Sequence, residues 1–328
     1  MKRTIIILSL LMLFTACSHH DPESGPIGEE RPVMLRAMTK STTKVDKTQT
    51  PVFIFWIEGD QEKFGSQTTY PYFISTPQAN VDEYRNEPYN TGYLYPKNTV
   101  LYANGYSPSS LIVEEGEGIY PRTRLSVPTN LLGQLDITTS RGFVRGSSEH
   151  PFEADDAQTM VFEHLQSRVN FYAKLGNIPA ARYFRGVTIK VDGNGVLTDR
   201  IEWSEEDRYK AVRRTSSVQA SWSATDANAN QMDPNETDPR EIGSIYIHPG
   251  QTKISFELEV EMSQTPTFEQ SETLKTTATV KFADQYGANL TLSEGDEYDI
   301  TITILYDSFA FEGNKAIWEE GGKIPLPF

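Results

Sequence analysis

Alternation of apolar and polar residues is the feature that most constrains the fold of this chain. Over residues 254–262 every second residue is apolar, from Ile254 through Phe256, Leu258 and Val260 to Met262. Side chains of a strand point alternately to opposite faces, so this segment is predicted to be a half-buried antiparallel strand. Residues 277–282 and 298–304 alternate in the same way. These patterns exclude a mainly helical fold.

Further strands are predicted from apolar runs bounded by turn residues. Residues 51–57 are almost wholly apolar and are expected to form a strand buried on both faces. Residues 99–106 follow a Tyr-Pro-Lys-Asn turn and favour a second strand. Residues 187–191 and 196–198 flank Asp-Gly-Asn-Gly, which predicts a hairpin. Many short strands separated by turns indicate an all-β fold built of antiparallel sandwiches.

The first seventeen residues are typical of an export signal. Lys2 and Arg3 precede an apolar run over residues 5–14, which is too short for a permanent transmembrane helix. The run ends in Leu-Phe-Thr-Ala before Cys17, which resembles the lipobox of bacterial lipoproteins. Cys17 is the only cysteine, so it cannot form an internal disulfide. We therefore expect cleavage before Cys17 and a covalent lipid on its thiol, with no other cofactor.

Composition and motifs argue against several classes of function. The formal net charge is −15, so the surface would repel phosphate backbones and nucleic-acid binding is not expected. The sequence lacks Gly-x-Ser-x-Gly, a phosphate-binding glycine loop and His-Glu-x-x-His. His164 lies between apolar residues and is interpreted as a hydrogen-bonded structural histidine. No metal site is predicted, and the expectation is a protein that is not an enzyme.

Composition also divides the chain. We expect a signal peptide over 1–16, a lipidated cysteine with a flexible tether over 17–32, and β-sandwich domains over 33–156 and 157–328. The tether is nearly free of large apolar residues, and strand-forming residues dominate from Val33 onward. A polar, acidic stretch over residues 147–159 suggests the boundary between the two domains.

Four segments, in this order, resemble the fimbrillin-like pilus subunits of Bacteroidetes. The first is the lipobox followed by Arg36-Ala-Met-Thr, and the second is the Tyr-Pro-Lys-Asn-Thr-Val-Leu-Tyr segment from Tyr95. The third is Val-Phe-Glu-His-Leu-Gln-Ser-Arg-Val from Val161. The fourth is Leu-Ser-Glu-Gly-Asp-Glu-Tyr-Asp-Ile from Leu292, with a late Trp-Glu-Glu-Gly-Gly. Together they extend over nearly the whole chain.

The resemblance implies two transthyretin-like β-sandwich domains and a place in a pilus or a related adhesive structure at the outer membrane surface. In such subunits a protease cuts near the start of the first domain, and a strand donated by a neighbour fills the groove that opens. Arg36 is the candidate for that cut and Arg31 is the second candidate. Expected partners are other pilus subunits or further copies of this chain, and the membrane through the lipid. Stalk, tip and accessory roles all remain open, because two prolines in residues 324–328 make a poor donor strand.

Tyrosines are concentrated early in the mature chain, and exposed tyrosines are well suited to contacts with sugars or proteins. The candidates for such contacts are Tyr70, Tyr72, Tyr84, Tyr89 and Tyr93. They could equally be packed in the core. They also support an alternative function, a lipid-anchored carbohydrate-binding protein of the outer membrane, whose targets would be host or bacterial surface glycans.

Overall fold

The structure is a computed structural model that describes most of the chain beyond residue 30. The described residues are 31–40, 49–64, 70–114, 123–154, 158–176, 183–204, 206, 208–215, 221–225, 232, 238–284, 286–305 and 308–316. Cys17, the signal peptide and most of the predicted tether lie outside these ranges, as do residues 324–328.

Among the described residues, eleven strands precede residue 165, and we call them the N-terminal part. They are β1 (Pro32–Leu35), β2 (Ala37–Thr39), β3 (Val52–Ile57), β4 (Phe73–Ser75), β5 (Tyr89–Leu94), β6 (Leu101–Ser107), β7 (Ile112–Val113), β8 (Arg124–Ser126), β9 (Thr138–Ser140), β10 (Val144–Gly146) and β11 (Met160–His164). Three single-turn 3-10 helices lie between them, at Gln61–Lys63, Val81–Tyr84 and Thr129–Leu131.

In the described part of the chain beyond residue 165, ten strands follow, and we call them the C-terminal part. They are β12 (Ser167–Leu175), β13 (Tyr183–Asp192), β14 (Thr198–Trp203), β15 (Tyr209–Arg213), β16 (Ser221–Thr225), β17 (Arg240–Ile247), β18 (Lys253–Ser263), β19 (Ser271–Lys281), β20 (Glu297–Ile304) and β21 (Phe309–Ala316). The prediction of an all-β sandwich fold is confirmed. Among the described residues, no helix is both long and apolar enough to cross a membrane.

A seven-stranded sheet, the large sheet, is the centre of the N-terminal part. Its strand order is β2-β11-β9-β6-β3-β4, with β10 also paired to β6. The residues of β3 from Val52 to Trp56 are all buried, which confirms the prediction of a strand covered on both faces. Phe53 and Phe55 pack into one apolar cluster, whereas Val52, Ile54 and Trp56 pack into another. The large sheet therefore has a separate apolar layer on each side.

The two covers of the large sheet differ in origin. On the side of Phe53 the cover is a two-stranded sheet of β1 and β5, whose residues Val33 and Leu35 are fully buried. On the side of Trp56 the apolar cluster continues without a break into the C-terminal part. One side of the large sheet is thus covered by a small two-stranded sheet, and the other side is covered by the C-terminal part.

A four-stranded antiparallel sheet joins the two parts of the chain. Its order is β15-β14-β8-β7, so the β14–β15 hairpin of the C-terminal part pairs with β8 of the N-terminal part. Leu125 of β8 lies opposite Ile201 of β14, and both are fully buried. The remaining C-terminal strands form two four-stranded sheets, β17-β12-β20-β21 and β16-β13-β18-β19. Phe171 of the first packs edge-to-face on Phe256 of the second, at 5.1 Å between ring centroids.

The alternating strands are found where the sequence predicts them. In β18 the residues Ile254, Phe256 and Leu258 are buried, and Ser255 and Glu257 between them are exposed. Strands β19 and β20 include the other two alternating segments. The domain boundary after residue 156 stays a prediction. β11, which follows it, pairs with β2 and β9 of the large sheet.

The predicted hairpin around residues 192–195 is wrong. β13 pairs with β16 and β18, whereas β14 pairs with β15 and β8, so the two strands lie in different sheets. A turn is present, because Asp192 accepts a hydrogen bond from the Asn194 amide and Gly195 has a φ of +71°. The Gly195 amide donates to the Arg214 carbonyl, on the segment after β15. Turn residues mark a change of direction, but here the chain turns into another sheet.

Replacing Phe64 by alanine tests whether the two parts share one core. The Phe64 ring lies 4.5 Å from both Trp56 and Trp203, so it fills the seam between the N-terminal and C-terminal parts. Loss of a buried phenylalanine costs about 3–5 kcal/mol. We expect Phe64→Ala to lower the free energy of unfolding by about that amount in a single transition. Tyr286→Ala, at a position 85% exposed, is the control. Separate transitions for near-UV circular dichroism and tryptophan fluorescence would contradict a shared core.

Candidate functional site

The candidate site is the segment that contains β1, between the two predicted cleavage residues. β1 pairs antiparallel with β5, with Pro32 opposite Leu94, Met34 opposite Asn90 and Leu35 opposite Tyr89. Val33 and Leu35 point into the apolar cluster that covers the large sheet. The strand is short and pairs with a single neighbouring strand. It contributes two fully buried side chains to the apolar cluster.

Arg36 lies where the chain passes from one sheet to another. β1 before it belongs to the two-stranded sheet, and β2 after it pairs in parallel with β11 of the large sheet. The Arg36 carbonyl accepts a hydrogen bond from the Met160 amide at 2.9 Å. Its side chain is half-buried. The bond after Arg36 thus separates two strands that are held by different partners.

Arg31 lies at the other end of β1. Its guanidinium is 3.0 Å from a carboxylate oxygen of Glu153, and its carbonyl accepts a hydrogen bond from the Tyr95 amide. Tyr95 in turn accepts a hydrogen bond on its hydroxyl from the Phe152 amide, and burial raises the pKa of Tyr95. Both candidate arginines are therefore placed on the border of β1, and whether either is cut stays a prediction.

β2 is attached by contacts that do not involve β1. Both the amide and the hydroxyl of Thr39 donate hydrogen bonds to the carboxylate of Asp82, at 2.9–3.0 Å. The Asp82 amide donates to Asn80, which caps the 3-10 helix there. Hydrogen bonds to a charged acceptor contribute about 1.5–3 kcal/mol each. A cut after Arg36 would therefore leave β2 in place at the new N-terminus.

The five candidate tyrosines separate into two groups. Tyr70, Tyr72 and Tyr93 are 71%, 47% and 46% exposed. Tyr84 and Tyr89 are half-buried, and their rings lie 6.3 Å and 5.8 Å from that of Phe53. The first group is available for contacts at the surface, and the second packs against the apolar cluster. Sequence alone could not separate the groups, because every residue of both is a tyrosine in a strand-rich region.

His164 has the partner expected of a structural histidine. Its Nδ1 lies 2.8 Å from a carboxylate oxygen of Asp136, and both side chains are almost fully buried. A buried pair of this kind fixes the position of β11 beside the segment that leads into β9. The described histidine, aspartate and glutamate residues form no group of three or more that could hold a metal ion.

One polar network was not predicted from the sequence. Asn170 is 2% exposed, and its amide nitrogen donates to Glu297 at 2.5 Å and to Asp299 at 2.7 Å. Its amide oxygen accepts from Ser244, which accepts from Arg168. Burial raises the pKa of Glu297 and of Asp299. Hydrogen-bonded partners in the network lie up to 129 residues apart, so no local pattern could reveal it.

The paired carboxylates of this network do not line the cavity found among the described residues around Gln49 and Leu135. That cavity has a volume of about 300 Å³ and is lined by amide, hydroxyl and aliphatic side chains, among them Gln49, Ser109 and Leu135. General acid–base chemistry needs a titratable group within hydrogen-bond reach of a bound substrate. The lining of this cavity has no titratable side chain. The carboxylate pair is best explained as part of the fold.

Glu297→Gln tests whether burial raises the pKa of the Glu297 carboxyl group. A folded-state pKa above the unfolded value means that the folded protein binds more protons, so stability falls as the pH rises through that interval. Glutamine keeps an acceptor for Asn170 and carries no charge. We expect the free energy of unfolding of Glu297→Gln, relative to the original protein, to rise as the pH increases above about 4, the ordinary pKa of a glutamate. Urea titrations measure it, with exposed Glu272→Gln as a control that shows no such trend. A relative stability that falls as the pH increases would contradict the burial.

Several solved structures are similar to this chain, among them three from Bacteroides species. No protein-family model and no curated protein sequence matches it. A candidate cell adhesion protein from Bacteroides uniformis superposes with a TM-score of 0.51 at 12% identity, over 88% of this chain and 98% of that one. A fimbrial protein from Bacteroides vulgatus (14% identity, 88% and 99% covered) and a candidate cell adhesion protein from Bacteroides ovatus (14%, 88% and 96%) each give 0.49. The first of these likenesses shows that this chain shares the fold of the Bacteroides uniformis protein.

Proposed function

We propose that this chain is a non-catalytic, lipid-anchored surface protein that serves as a fimbrillin-like subunit in an adhesive structure and assembles by strand exchange. The observation that carries the proposal is the position of β1. It is a short strand, bordered by Arg31 and Arg36, that closes one face of the apolar cluster. The fold shared with a candidate cell adhesion protein also supports a role in adhesion.

A cut after Arg36 would release β1 and leave a defined vacancy. β5 would lose the strand with which it forms a two-stranded sheet, and its backbone groups on that side would be unpaired. The positions of Val33 and Leu35 would become apolar sockets beside Phe53 and Phe162. An unpaired strand edge next to such sockets is a template for an incoming strand. The incoming strand would place apolar residues two apart, at the positions of Val33 and Leu35.

A cut after Arg31 would not have this effect. β1 begins at Pro32, so cleavage before it would leave the strand attached to β2 through Arg36. Of the two candidates, Arg36 is therefore the residue whose cleavage fits strand exchange. Its carbonyl is hydrogen-bonded to Met160, so a protease reaches the bond when this segment opens. The protein can serve as a stalk, tip or accessory subunit under this proposal.

Arg36→Ala tests the proteolytic step. An arginine-specific protease should trim the original protein after Arg36 and yield a product that forms oligomers, because the vacated β5 edge accepts strands. Arg36→Ala should remain untrimmed at this position and monomeric. Size-exclusion chromatography and electron microscopy of the products give the readout. Arg31→Ala is the matched control and should be trimmed and assemble like the original. The proposal fails if the trimmed protein stays monomeric or if Arg36→Ala assembles equally well.

The lipid anchor is a second part of the proposal. Cys17 lies outside the described residues, so the support is the signal-like segment before it and its status as the only cysteine. Acyl chains contribute about 0.8 kcal/mol per buried methylene, and more than one chain gives stable attachment. The lipid would place the protein on the outer membrane, from which trimming could release it to a fimbria.

Cys17→Ser should abolish that attachment. In cells grown with labelled palmitate, the original protein should carry label and enter the detergent phase of a Triton X-114 extract. The variant should be unlabelled and found in the aqueous phase, because it has no acyl chains to bury. Ser18→Ala, next in the chain, is a control that should behave like the original. Equal labelling or equal membrane retention of Cys17→Ser would contradict the lipid anchor.

A further inference from the structure

Three aromatic rings form a column from the core to the surface of the N-terminal part. Phe55 is fully buried, Phe73 is 7% exposed and Tyr93 is 46% exposed. The rings of Phe55 and Phe73 stack with centroids 4.2 Å apart, and those of Phe73 and Tyr93 with centroids 4.0 Å apart and planes 11° from parallel. One face of Tyr93 is covered by this stack, which fixes the orientation of the ring.

A bulge in β5 places Tyr93 on the column. The register of β1 and β5 shifts between Pro32 and Met34, and Gly92 has a φ of +77°, a conformation that favours glycine. The Thr91 hydroxyl accepts from the Tyr93 amide and donates to the Val33 carbonyl. Bulges re-aim side chains and are frequent beside functional sites. The backbone at Tyr93 is thus set by hydrogen bonds as well as by the stack.

A second exposed ring stands beside the column. Tyr72 lies edge-on to Phe73, with centroids 5.6 Å apart and planes at 64°, and is 47% exposed. Tyr72 and Tyr93 both contact Phe73, so they form one small exposed aromatic patch. A stable protein interface takes about 20–30 residues from each side. The patch has the scale of a contact with a small ligand.

We propose that Tyr93, flanked by Tyr72, binds one hexopyranose ring of a neutral glycan. The face of an aromatic ring carries partial negative charge, and it attracts the weakly positive C–H groups on the flat side of a pyranose. A ring already fixed by a stack loses little conformational freedom on binding. The formal net charge of −15 disfavours uronic, sialic and sulfated sugars, so the ligand is neutral. This inference does not depend on strand exchange.

The test is binding of the full mature chain to an array of neutral glycans, followed by calorimetry with the best binder. Tyr93→Ala should weaken binding about tenfold or more, the loss expected for one aromatic stacking contact. Tyr93→Phe keeps the ring and its stack and should bind within about threefold of the original. Tyr286→Ala removes a more exposed tyrosine from another part of the chain and should bind like the original. Thermal denaturation of each variant establishes that it is folded.

Three results would overturn the proposal. One is the absence of binding to every neutral glycan of the array. Another is equal affinity of Tyr93→Ala and Tyr286→Ala for the glycan. The third is a patch used for protein contacts: Tyr93→Ala then weakens self-association in sedimentation velocity while glycan affinity is unchanged. If Tyr93→Ala does not fold, Tyr72→Ala, which leaves the column intact, is measured instead and should weaken binding at least threefold.

Discussion

Burial of β3 on both faces is the constraint from which the rest of the structure follows. A strand with Phe53 and Phe55 on one side and Val52, Ile54 and Trp56 on the other needs an apolar layer above and below it. One layer is the C-terminal part, joined through the β8–β14 pair and the ring cluster around Phe64. The other is the two-stranded sheet of β1 and β5. The apolar layer on the side of Trp56 is therefore much larger than the layer on the side of Phe53.

This inequality gives a physical reason for strand exchange in one place rather than another. Removal of any strand of the C-terminal sandwich would open the larger apolar cluster and its long ladders. Removal of β1 would take two fully buried side chains from the smaller cluster, while β2 stays attached to Asp82 and β11. Under the proposed strand exchange, loss of β1 would open the smaller cluster alone, and a strand from another chain would close it again. The Tyr93 column lies at the end of β5 opposite Pro32, so adhesion and assembly would use neighbouring surfaces.

Patterns within one segment predicted much of this fold, and contacts between distant segments escaped prediction. Alternation identified β18, β19 and β20, and the uninterrupted apolar run identified β3. The order of apolar and polar residues along a strand shows whether one or both of its faces are buried. The residues of one strand do not show which other strand it pairs with. The Asp-Gly-Asn-Gly turn was therefore misread as a hairpin, and the pairing of β8 with β14 was not foreseen. For the same reason the sequence indicated Arg36 and the tyrosines but not the strand change, the ring column or the Asn170 network.

Amide hydrogen exchange in β5 tests the central claim most directly. It is measured on the full mature chain, on the chain trimmed after Arg36, and on the trimmed chain with a synthetic peptide of residues 31–36. The account predicts that trimming removes protection from Tyr89–Leu94 and that the peptide restores it, whereas a peptide with serine at positions 33 and 35 does not. Protection in the C-terminal sandwich should stay unchanged throughout. Unaltered protection of β5 after trimming, or loss of protection across both parts of the chain, would contradict a replaceable β1.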